Sequence, residues 1–155
     1  TRMMDWFVKA FLKASLIWFS LAIALAVAMA LFPSLAIYRT AHLHLGLLGF
    51  VTQMIYGVAL HVIPRFFGQP LVHPRLAEVQ FFAAQAGVTG LVLGFTLRAS
   101  GWGAAQALLA TGGMLSAVGA ACFVVNLWRT MNASQMQTIN SKGRAVPVLP
   151  QADAH

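Results

Sequence analysis

Four long stretches of the chain carry no charged side chain: Ala14 to Tyr38, Thr40 to Pro64, Val79 to Leu97, and Ala99 to Trp128. Each is long enough to cross a bilayer, which takes about 20 apolar residues as a helix. Turn-forming residues punctuate them. Pro33 closes the first, and Ser34 stands as an N-cap before the second. Gly68, Pro70 and Pro74 break the chain after Pro64, and Arg98, Ser100 and Gly101 close the third. The pattern predicts helices over about 13–32, 35–63, 77–97 and 103–128. Residues 1–130 then form one four-helix transmembrane domain, and the polar residues 131–155 a cytoplasmic tail. Trp6, Phe7, Lys9 and Lys13 lead into a full-length span with no cleavage site, so the beginning reads as a membrane helix and not as a signal peptide.

Composition agrees with an all-α membrane protein. Of 155 residues 59% are hydrophobic and only 8% charged, too few to cover a water-facing surface. The net charge of +7 raises the question of nucleic acid, but no basic run is interleaved with aromatics, so nucleic-acid binding is excluded. The charge has a topological meaning instead. Arg2, Lys9, Lys13, Arg65, Arg75, Arg129, Lys142 and Arg144 fall on one side of the four spans, and only Arg39 and Arg98 on the other. The positive-inside rule places both termini in the cytoplasm, in a bacterial-type inner membrane. The single cysteine, Cys122, lies within a span and reads as a packing residue. Helices three and four are rich in small residues, with Gly90 and Gly94 forming a GxxxG pair that allows close helix contact.

Chemistry concentrates on the second span, in Ala41-His42-Leu43-His44-Leu45-Gly46-Leu47-Leu48-Gly49-Phe50. Ionisable residues inside a membrane are costly and mark function by default. At about 100° per residue, His42 and His44 point about 200° apart and cannot chelate one metal together. Each suits a separate partner. His42 shares its side with Gly46, Gly49, Gln53, Tyr56, Gly57 and Leu60, a glycine-lined groove against which a flat macrocycle could lie. His44 looks out with Leu47, Leu48, Val51, Ile55 and Val58, and is expected to face another helix or a ligand. Arg39, one turn above His42, is placed to pair with an anionic group such as a propionate. The alternative is that both histidines reach interfacial water or a neighbouring carbonyl. His61 lies about 28 Å further along the helix and cannot share a metal with the pair; His73 falls in a loop expected to be solvated. Gln53, Tyr56, Gln80 and Gln85 read as groups that join helices.

With Gly57, His61, Pro64, Arg65 and Gly68, the His-x-His stretch resembles the small proteins related to subunit I of haem-copper oxidases. That subunit is built from three four-helix arcs, and in it a helix with a His-x-His pair near the outer face gives one histidine to each of two haems. The resemblance covers the second helix and the helix count. It implies haem b (heme b) held by bis-histidine ligation, with His42 and His44 as iron ligands and Arg39, Gly46 and Gly49 beside the cofactor. The oxidase copper site needs three further histidines on other helices, and the first, third and fourth spans contain none, so oxygen reduction is not expected. The expected role is electron transfer or a gas-linked redox function, served by a redox partner or quinone, and not an enzymatic one. Because neither histidine can complete the other's haem, each haem must be shared between copies. The three-arc likeness selects a homotrimer with haems at its interfaces, and a symmetric dimer is the runner-up. The competing class is a structural or assembly subunit of a membrane complex with no cofactor of its own.

Overall fold

The computed structural model describes residues 5–143, with side chains as far as residue 133. Four helices follow one another: α1 (Trp6–Leu31), α2 (Pro33–Phe66), α3 (Pro74–Ala99) and α4 (Ala105–Gly143). All four are long and apolar enough to cross a membrane, α4 over Ala105–Ala133. The all-α, four-helix expectation is met.

The helix boundaries depart from the predicted ones in instructive ways. α1 begins at Trp6 and not near Lys13, because Phe7, Val8 and Phe11 pack into the core while Lys9 and Lys13 point outward. α2 runs past Pro64 to Phe66. Proline costs the helix one N–H donor, but here the loss falls in the last turn. Gln69 N–H then donates to Pro64 O at 3.0 Å and Gly68 N–H to Arg65 O at 3.1 Å, closing the end around Gly68 at φ 67°. α3 starts at Pro74, where the missing N–H is harmless. α4 does not stop at Trp128. No Gly or Pro occurs between Gly119 and Gly143, and the helix continues unbroken to Gly143, so Met131 marks a change of polarity and not a structural boundary. The expected tail beyond Gly143 lies outside the described residues.

α2 is not a uniform helix. It opens as a 3-10 turn (Pro33–Tyr38), becomes α-helical over Arg39–His44, widens to a π-helix over Leu45–Thr52, and returns to α over Gln53–Phe66. The π segment makes i→i+5 bonds, so side chains after it advance less per residue than the α count assumes. Its buried positions are Leu45 and Gly49, continuing a spacing of four from Ala41 before it to Gln53 after it.

α3 and α4 form the most extensive pair, α1 lies along α2, and the upper part of α2 packs on α3. Glycines bring α3 and α4 into backbone contact: a Cβ on Gly112 would lie 2.6 Å from Leu91 N, and one on Gly87 2.6 Å from Ser116 N. The apolar core (Phe7, Val8, Phe11, Tyr56, Leu60, Ala77, Ala84, Leu127) sits toward the end of the bundle where α1 begins. Trp6 Nε1 donates to Glu78 at 3.2 Å there. Lys9, Lys13, Arg65, Arg75 and Arg129 belong to this end, and Arg39 and Arg98 to the other, where Tyr38 Oη and Ser100 Oγ lie 3.3 Å apart. The far half of α1 is thinly covered, with Ala22 its one buried side chain among the described residues after Ser15.

Candidate functional site

His42 and His44 of α2 are half-buried, and each has one ring nitrogen fixed. His42 Nδ1 lies 3.0 Å from the backbone carbonyl of Ala22 on α1. His44 Nδ1 lies 2.8 Å from the carbonyl of Thr40, one turn back on its own helix. A carbonyl oxygen only accepts, so Nδ1 carries the proton in both rings. Nε2 is therefore left with a free lone pair, and among the described residues it bonds to nothing in either ring. This is the tautomer that ligates a metal, with the second nitrogen anchored by a carbonyl. The two rings leave α2 in different directions. His42 turns to α1, whereas His44 lies over Phe95 of α3, ring centroids 4.5 Å apart at 34°. The expectation that His44 faces another helix is met. Because His42 and His44 sit in the α-helical part of α2, before the π segment, their opposed directions survive the irregularity that follows.

The glycine groove is corrected. Gly49 and Gly57 do line the side of α2 that faces α1, but α1 already fills it. A Cβ on Gly49 would meet Trp18 Cβ at 2.7 Å, and one on Gly57 would meet Phe11 Cβ at 3.1 Å. These glycines admit helix α1, so no macrocycle lies against Gly49. Gly46 differs, with nothing within 4 Å of its Cβ position. Arg39 is exposed, one turn before His42, and makes no hydrogen bond or ion pair among the described residues. An open cavity of about 250 Å³ lies on the His44 side, lined by Ile37, Thr40, Phe95, Arg98 and Ala99. Thr40 and Phe95, the two residues that hold the His44 ring, form part of its wall. Arg98 is the second cation at this end of the bundle, and it was not singled out from the sequence as a site residue.

The remaining histidines are elsewhere. His61 lines a separate cavity of about 190 Å³ with Asp5, Pro64, Arg65 and Gln69, and its carbonyl accepts from Arg65 Nη1 at 3.0 Å. His73 lies in the loop just before α3, half-buried and lining an open cavity. Asn126 of α4 clamps its backbone, Oδ1 accepting from His73 N–H at 3.3 Å and Nδ2 donating to its carbonyl at 2.9 Å. Among the described residues no group of three His, Cys, Asp or Glu comes together.

A polar chain crosses the bundle interior. Trp18 Nε1 donates to Gln85 Oε1 at 2.9 Å, and Gln85 Nε2 donates to Gln53 Oε1 at 3.0 Å, tying α1, α3 and α2 together. Gln53 and Gln85 thus join helices as expected. Gln80 does not, since both its amide atoms are buried without a partner among the described residues. Gln53, Tyr56 and Ser116 line a half-open cavity of about 80 Å³, large enough to hold ordered water.

Comparisons with protein-family models, curated proteins and solved structures return no match.

Proposed function

We propose that the chain is a haem b-binding membrane protein whose His42 and His44 are axial ligands of two different haems, with a role in electron transfer. The observation that carries this reading is the shared state of the two rings. Each Nδ1–H is bound to a carbonyl, each Nε2 lone pair is free, and the rings diverge from one helix. Phe95 and Thr40 hold the His44 ring from face and edge, while Ala22 holds His42 against α1. Fixed orientation strengthens a ligating imidazole. A bis-imidazole haem b supplies one-electron transfer at a six-coordinate iron. Arg39, exposed beside His42 and without a carboxylate partner among the described residues, is the group for a propionate.

Each haem then takes His42 from one copy and His44 from its neighbour, a head-to-tail contact that closes into a ring. We assign three copies to that ring, with cytoplasmic termini in a bacterial inner membrane and a quinone or protein as redox partner. The test is the haem-to-protein ratio together with the native mass of the purified chain. One haem per chain at three times the chain mass is expected, and a haem-replete monomer overturns the shared site.

A second reading, a cofactor-free assembly subunit, draws on the packing of Trp18 against Gly49 and on the bond from His42 to α1. In that case the purified protein is colourless with full helical content.

A further inference from the structure

The end of the bundle where α1 begins gathers, among the described residues, Lys9, Lys13, Arg65, Arg75 and Arg129 against two acids, Asp5 and Glu78. Arg75, in the first turn of α3, and Arg129 of α4 line one open cavity of about 580 Å³, with Val72, His73 and Leu76. Both arginines are exposed. Arg129 Nη1 donates to His73 Nε2 at 3.2 Å, so the acceptor is the neutral ring, whose Nδ1–H remains a further donor. Among the described residues neither guanidinium meets a carboxylate. Glu78, the acid next along α3, accepts instead from Trp6. Two guanidiniums on one cavity, neither with a carboxylate among the described residues, make a site for phosphate oxygens, which they engage in bidentate fashion.

The surface below these cations is apolar and open. Val79 lies four residues after Arg75 and is 53% exposed; Val125 lies four before Arg129 and is 44% exposed. Residues four apart share a helix face, so each arginine stands at the head of an apolar strip running into the membrane span. Free phosphate would use the charges and leave the strips bare. A diacyl lipid uses both. Basic pockets between membrane helices take anionic headgroups in this way.

We propose that this cavity binds an anionic phospholipid, its phosphodiester between Arg75 and Arg129 and its acyl chains along Val79 and Val125. The test uses the full chain in detergent, titrated with fluorescent phosphatidylglycerol, fluorescent phosphatidylcholine, or inorganic phosphate as competitor. Phosphatidylglycerol should bind at least tenfold more tightly than phosphatidylcholine, and millimolar phosphate should not displace it. The double variant Arg75→Gln/Arg129→Gln should lose that preference. Lys9→Gln/Lys13→Gln, which removes the same charge from exposed positions on α1, should keep it. Helical content read by circular dichroism should be equal in all three proteins, since every substituted side chain is exposed. Equal affinity for the two lipids, an unchanged preference in the arginine variant, or equal loss in the lysine variant overturns the site. Displacement by phosphate alone overturns its assignment to a lipid.

Discussion

Replacing Gly112 by Ala puts one methyl group into the tightest seam of the molecule. The added carbon would lie 2.6 Å from Leu91 N, 2.8 Å from Gly90 C and 3.0 Å from Gly87 O, all backbone atoms that no rotamer change can move. Restoring an ordinary 3.4 Å contact from 2.6 Å requires α3 and α4 to separate locally by about 0.8 Å. A gap of 0.5–1 Å forfeits roughly a quarter to a half of each dispersion contact along the seam. Such packing is what holds membrane helices together, because lipid is as apolar as their side chains. Overpacking of this kind costs about 1–3 kcal/mol. Gly113→Ala is the matched control, with nothing within 4 Å of its Cβ position. Both variants exchange one mid-helix glycine for alanine, so the propensity gain is shared and their difference isolates the seam. Unfolding in mixed micelles by SDS, followed by circular dichroism, should show Gly112→Ala less stable than Gly113→Ala by that amount. Equal midpoints for the two variants would refute the close approach of α3 and α4.

Other substitutions probe different links. Gln85→Leu removes both bonds of the Trp18–Gln85–Gln53 chain; at about 0.6 kcal/mol per membrane hydrogen bond it should cost about 1 kcal/mol in the same SDS titration, and a neutral result would deny that the chain joins the helices. Gly68→Ala forces a side chain into φ 67° and should cost about 1–2 kcal/mol, checked by thermal melting in detergent. If the proposed haem is bound, Arg39→Gln should shift its midpoint potential in a redox titration while leaving its content near that of the parent; unchanged potential would release Arg39 from the propionate role.

The four spans were legible because charge-free length is a one-dimensional property, and the turn residues Pro33, Gly68 and Gly101 marked their ends. What the sequence concealed was pairwise. The GxxxG stripe at Gly90 and Gly94 announced a close contact, but not that Gly112 and Leu109 of α4 would be its other half. Gly46, Gly49 and Gly57 formed one apparent groove; only the placement of α1 shows Trp18 and Phe11 filling its lower part. The π segment at Leu45–Thr52 has no periodicity signal, since the run is apolar on every side. His42 and His44 were legible as opposed rings because their spacing lies ahead of that segment. Their carbonyl partners, Ala22 and Thr40, were not, because a backbone acceptor leaves no trace in residue identity. The clamp of Asn126 on the His73 backbone was hidden for the same reason.

The absorption spectrum of the purified chain, oxidised and reduced, beside those of His42→Ala and His44→Ala, is the most direct test of the haem assignment. A ring of copies in which every haem takes one His42 and one His44 predicts a Soret band and a sharp reduced α-band in the parent, and loss of the six-coordinate spectrum in both variants. Haem content and spectrum unchanged in both variants, or a colourless parent with full helical content, would contradict the account. Loss in only one variant would replace the ring by a dimer that pairs like with like.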